Sequence, residues 1–247
     1  MMNHRINCIN TYMVITPIIA VVKSILMMPY YKNTALSSGL TFPAHELAIT
    51  DKLCEHGYSC WNPFINMNTE SKCKFRKDTR MRDWAAHPEL STAMPVGTFM
   101  EQPFGTNDAP DFYIKVSPAF VLPMEAKSVT NGHYPVWNSG GPKPGFLYVF
   151  CSQKVNKTTI FMGNSVINLE QHALIDAHIL RHRNDDEELN NKLSELDANH
   201  RGISYYTRPM YQHRGDSSYT NYFNHDERTE TEDFAINWLQ EQERVVE

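Results

Sequence analysis

Residues 110–127 read PDFYIKVSPAFVLPMEAK, and no other stretch constrains the chain as much. Asp111 follows a proline and opens a short run of alternating residues. A turn at Ser117 and Pro118 leads into a second run over 121–129 that carries Glu125 and Lys127. Successive side chains of a strand point to opposite faces, so Glu125 and Lys127, two positions apart, share one. Pairing of the two runs as a hairpin brings Asp111 beside them at one end of a small sheet. Two carboxylates and an ammonium then converge. Mg²⁺ takes oxygen ligands and keeps several waters, which suits Asp111, Glu125 and the backbone carbonyl of Ala126. Lys127 is placed to hold a metal-activated water or to offset charge on a phosphate. The plain alternative is a surface hairpin with an incidental ion pair.

With Pro110 ahead of them, Asp111, Glu125 and Lys127 resemble the signature of the PD-(D/E)xK nuclease superfamily, the fold of most type II restriction endonucleases. The resemblance implies an α/β chain: a restriction-endonuclease-like mixed central β-sheet of four or five strands, flanked by helices on both faces. It makes Asp111, Glu125 and Lys127 the catalytic set, with Mg²⁺ held by Asp111, Glu125 and the Ala126 carbonyl. The implied reaction is hydrolysis of phosphodiester bonds in double-stranded DNA at a short specific sequence, leaving a 3′ hydroxyl and a 5′ phosphate. It further implies a homodimer for a symmetric site, a DNA methyltransferase as functional companion and a place in a prokaryotic cytoplasm. In this family a helix before the first strand often carries a glutamate that reaches the metal. Glu46, in the first turn of a helix expected over 41–57, takes that place. Its alternative role is to favour the positive end of the helix. Two other readings stand beside this one: a repair or junction-resolving nuclease of the same superfamily, and a non-catalytic DNA-binding protein on the same scaffold.

The net charge is −5, so any contact with a polyanion must come from local patches. Lys74, Arg76, Lys77, Arg80 and Arg82 form one such stripe, opposed only by Asp78; a solvated loop is the alternative. Residues 128–145, SVTNGHYPVWNSGGPKPG, are rich in glycine and proline and read as a loop, where the superfamily core has a helix. The piece PVWNSGGPKPGFLYVF nevertheless looks like a stretch seen in several restriction endonucleases. That likeness places Trp137, Asn138, Ser139 and Lys143 near the scissile phosphate, against a plain connecting loop. Residues 199–229 crowd arginines and polar aromatics, groups that reach phosphates and base edges. Arg201, Tyr205, Arg208, His213 and Arg214 are the candidates there, against a tyrosine-rich packing segment. The chain thus reads as one domain over 1–247, with recognition segments around 72–105, 128–145 and 199–229.

The remaining features set bounds. With 247 residues, 41% of them apolar, the chain is long enough for one large core. Five cysteines without C-x-x-C spacing argue against a zinc site or a disulfide framework and fit reduced thiols. The apolar run over 12–28 is broken by Pro17 and Lys23, is short for a membrane span, and reads as a buried helix from Pro17 to Pro29. Gly57 suits a left-handed cap for the helix over 41–57. A strand is expected over 58–65, no firm period over 84–105, and buried strands over 146–151 and 158–163. Helices are expected over 168–182, 186–196 and 232–246. His172 and Asp176, one turn apart, form either a metal pair or a simple hydrogen bond. The sequence holds no internal repeat, P-loop or G-x-S-x-G.

Overall fold

The computed structural model describes residues 16–32, 34–35, 41–42, 44–62, 93–103, 109–137, 141–213 and 220–244. Helix α1 (Ile18–Leu26) and helix α2 (Ala44–Glu55) flank two short paired strands, β1 (Thr34–Ala35) and β2 (Thr41–Phe42). Pro17 stands at the N-cap of α1, where its missing N–H costs nothing. The Ile18 N–H is capped from across the molecule by Glu243 Oε1 at 2.5 Å. Helix α2 ends as the sequence leads one to expect. Gly57 takes φ 87°, and the Tyr58 N–H returns to the Leu53 carbonyl at 3.0 Å, closing the helix end.

The main sheet has six strands in sequence order: β3 (Ser59–Cys60), β4 (Thr98–Glu101), β5 (Phe112–Ser117), β6 (Phe120–Val129), β7 (Leu147–Ser152) and β8 (Lys157–Met162). β3 and β4 are parallel, as are β6 and β7; the other neighbours are antiparallel. The architecture is therefore mixed α/β with a mixed sheet, one strand larger than expected. The extra strand is β4, inside a stretch that reads as irregular.

Alternation along the strands sorts the side chains into two layers. Phe112, Ile114, Leu122, Met124, Leu147, Val149, Ile160 and Met162 join Val21, Ile25, Ile49, Leu53, Ala235 and Leu239 of α1, α2 and the C-terminal helix α4 (Arg228–Arg244) in one core. On the other face Tyr148, Phe150 and Phe161 pack with Trp137, Phe146 and Phe223. Among the described residues, then, these three helices share one face, and aromatic loops cover the other.

The two helices expected over 168–182 and 186–196 are one, α3 (Leu169–Glu195). A reciprocal capping box of Asn168 and Gln171 starts it, and none of its side chains is buried. The chain then turns back along it. The Asn190 carboxamide grips both the N–H and the carbonyl of Tyr205 at 2.7 Å, and Asp186 accepts from the Thr207 N–H and hydroxyl. No described helix is long and apolar enough to cross a membrane.

Candidate active site

β5 starts opposite Met124, so β6 runs on past the end of its neighbour while still pairing with β7. Glu125 and Lys127 stand on that overhang. Alternation puts them on the face of Tyr148 and Phe150, their register partners on β7. Asp111 lies just before β5 and closes the open corner. Its Oδ2 accepts from the Ala126 N–H at 2.8 Å, and its own N–H donates to Glu125 Oε2 at 3.1 Å. Lys127 Nζ donates to Glu125 Oε1 at 2.6 Å. In a strand the N–H and C=O of one residue point to the same side. The Ala126 carbonyl therefore also faces the corner where Asp111 sits.

A fourth group comes from below the sheet. Glu46, in the first turn of α2, accepts from the Gln102 side-chain amide at 2.9 Å. Gln102 follows β4 in a left-handed conformation, φ 42°, and its N–H donates to the Asp111 carbonyl at 2.6 Å. A single residue thus ties the helix glutamate to the aspartate. Sequence reasoning missed Gln102 along with β4. The available signal was slight, Phe99 and Met100 between Gly97 and Pro103.

The electrostatics follow from this crowding. Burial pushes the Asp111 carboxyl up, and the Glu125 and Glu46 carboxylates push it further, to about 8; the Ala126 N–H and Lys127 pull the other way. Burial likewise raises Glu46, which the Gln102 amide partly offsets and Glu125 and Glu101 reinforce. Three carboxylates and one ammonium share a partly desolvated corner. What they lack is positive charge, and their donors are the hard oxygens that suit Mg²⁺. The oxygens are now turned onto N–H groups and Lys127; among the described residues no three His, Cys, Asp or Glu side chains are already gathered as a metal cage. Glu125 and Lys127 keep 9% and 22% of their side-chain surface exposed, so the corner is narrow but open.

The expected DNA contacts divide into three groups. Lys74, Arg76, Lys77, Arg80, Arg82, Asn138, Ser139 and Arg214 lie outside the described residues. Trp137 is corrected: it is 3% exposed, its indole N–H donates to His213 Nε2 at 2.9 Å, and its ring packs edge-on to Tyr148 and Phe161. It is a core residue, with no surface to offer a phosphate. His213 is half-buried in the same cluster, where burial lowers its pKa.

Lys143 remains beside the site. Its N–H donates to the Tyr148 hydroxyl at 2.8 Å, directly across from Glu125, and its ammonium lies 5.5 Å from the centre of the Phe146 ring. Arg201, Tyr205 and Arg208 are exposed on the segment that runs back along α3. That arm, residues 169–210, carries eight acidic and five basic residues, a poor field for a polyanion. His172 and Asp176 form a hydrogen-bonded pair at 2.9 Å on its surface. Compared with family models, curated proteins and solved structures, the chain matches none.

Proposed function

We propose that the protein is a Mg²⁺-dependent endonuclease that hydrolyses phosphodiester bonds in duplex DNA, of the type II restriction kind. One observation carries the reading. Asp111, Glu125 and Lys127, from two adjacent strand ends, meet within hydrogen-bonding distance, and a helix glutamate shares their field. Asp111, Glu125, the Ala126 carbonyl and Glu46 are the groups that would hold the ion. When bound, Mg²⁺ supplies charge neutralisation and a more acidic water.

The chain's own contribution is positioning and charge. Lys127, anchored by Glu125, presents a cation where phosphate charge grows during attack. The Ala126 N–H fixes the rotation of Asp111. Gln102 keeps Glu46 directed at the corner. Cutting both strands of a symmetric site calls for two copies related by a two-fold axis. Host DNA would need a companion methyltransferase for protection.

The test is digestion of supercoiled plasmid with Mg²⁺ and with EDTA. Discrete fragments with Mg²⁺, none with EDTA, and none from Asp111→Ala or Lys127→Ala proteins that still bind DNA support the proposal. Full activity in either variant refutes it.

A further inference from the structure

One residue beyond Lys127 the catalytic strand enters a groove of about 520 Å³, lined in part by Ser128 and Val129. Tyr30 and Lys32, from the segment after α1, line it together with Asn131, Tyr134 and Gln153, from the segments after β6 and β7. The segments after β6 and β7 are tied together. The Gln153 N–H donates to the Val129 carbonyl at 3.0 Å, Ser152 Oγ to the Gly132 carbonyl at 2.7 Å, and the Tyr222 N–H to the His133 carbonyl at 2.9 Å. The tyrosine rings are propped from behind, Tyr30 against His45 and Tyr134 against His213, while the polar side chains are uncommitted. Among the described residues, no hydrogen bond or ion pair engages the Lys32 ammonium or the carboxamides of Asn131 and Gln153.

The distribution of charge says what such a groove receives. The chain has 28 acidic residues, yet none falls in residues 1–45 or 126–169. Every residue lining the groove belongs to one of these two stretches. The second also carries Lys127, Lys143, Lys154 and Lys157. With Lys32 in its lining and no acidic residue there, the groove suits an anionic group. Two aromatic rings with polar edges and two free carboxamides add the chemistry of a nucleotide site. A carboxamide presents a donor and an acceptor side by side, the complement of adenine N7 and N6–H.

We infer that this groove is the subsite for the nucleotide next to the cleaved bond. Lys32 takes its phosphate, Tyr30 and Tyr134 flank the sugar and base, and Asn131 and Gln153 read an adenine edge. The assignment rests on the nuclease reading for its choice of DNA, and on the groove itself for its choice of a nucleotide. It also explains how an acidic chain holds a polyanion without help from the acidic arm of α3.

The test is fluorescence anisotropy with short labelled dA·dT and dG·dC duplexes, in Ca²⁺ so that no cutting occurs. Wild-type protein is expected to bind dA·dT more tightly. Lys32→Ala weakens both duplexes and lowers the salt slope by about one. Asn131→Ala and Gln153→Ala weaken dA·dT by about five- to a hundred-fold and leave dG·dC alone. All three positions are solvent-facing, so circular dichroism should confirm intact folding. Variants that bind both duplexes as the wild type does would overturn the assignment. So would displacement of the duplex by dAMP at concentrations below those at which DNA itself competes, which makes the groove a free-nucleotide site. A parallel Mg²⁺ plasmid digest separates the two claims. The predicted binding pattern without cutting removes the nuclease reading and leaves the groove. Cutting with unaltered binding removes the groove alone.

Discussion

Asp111→Asn is expected to make the metal-free protein more stable while ending its activity. In the folded chain the Asp111 carboxyl sits well above its ordinary range, because burial and the Glu125 and Glu46 carboxylates all disfavour its charge. A carboxyl with a raised folded pKa costs no stability below its unfolded value. The penalty grows as pH climbs from about 4 to about 8 and is complete above that. A rise from 3.8 to about 8 corresponds to at most about 6 kcal/mol at the alkaline limit. Glu46 is raised in the same field and takes up part of the proton, so about 2–3 kcal/mol is the expected gain. Asparagine keeps an oxygen to accept from the Ala126 N–H, so the substitution removes charge without stranding a donor. Urea denaturation in EDTA at pH 5 and pH 8.5 measures the effect. The variant should exceed the wild type at both, by about 1–1.5 kcal/mol at pH 5 and by the full gain at pH 8.5. Mg²⁺ should stabilise the wild type and leave the variant nearly unmoved. Equal stabilities at both pH values, or a variant less stable at pH 8.5, would refute the picture of crowded carboxylates.

Three further outcomes follow from the same geometry. Gln102→Ala releases the Glu46 carboxylate, so the Mg²⁺ concentration for half-maximal cleavage should rise about ten-fold or more, with the rate at saturating Mg²⁺ little changed; an unchanged Mg²⁺ titration would show that Gln102 plays no positioning part. His45 is buried against Tyr30 and Tyr31, neither ring nitrogen has a partner among the described residues, and burial lowers its pKa to about 4. Its folded pKa lies below the unfolded value of 6.5. Stability is therefore complete above that pH and is lost as pH falls toward 4; His45→Phe should flatten the wild-type decline, read by thermal melts from pH 7 to 4. In Gly163→Ala the new methyl carbon would stand 1.8 Å from the Lys143 carbonyl oxygen, so the loop at 141–145 must move, at a cost of about 1–3 kcal/mol in chemical denaturation; a variant as stable as the wild type would contradict the seating of that loop.

The site was legible where chemistry and period coincide. Asp111, Glu125 and Lys127 stand out because a two-residue alternation fixes which side chains share a face, whatever else the chain does. Pro17 and Gly57 marked helix ends because each has a backbone preference of its own. The rest depended on tertiary structure. β4 is four residues between a glycine and a proline, too short to show a period, and it forms because β5 offers it an edge. α3 reads as two helices because Arg181–Glu188 interrupts the apolar spacing. A helix with no buried side chain does not need that spacing, and pairs such as Lys192 with Glu188 at 2.6 Å support it instead. Trp137 looks like a ligand contact in a Gly- and Pro-rich loop. Only the arrival of His213 and Phe223 from a distant segment makes it core.

The most direct test of the central claim is where a divalent cation binds. Anomalous scattering from crystals soaked in Mn²⁺, a stand-in for Mg²⁺, should give its strongest peak in the corner between Asp111 and Glu125, within ligand distance of the Ala126 carbonyl, and the peak should vanish in Asp111→Ala. A corner that stays empty at saturating Mn²⁺, or a strongest peak on the α3 arm instead, would contradict the account.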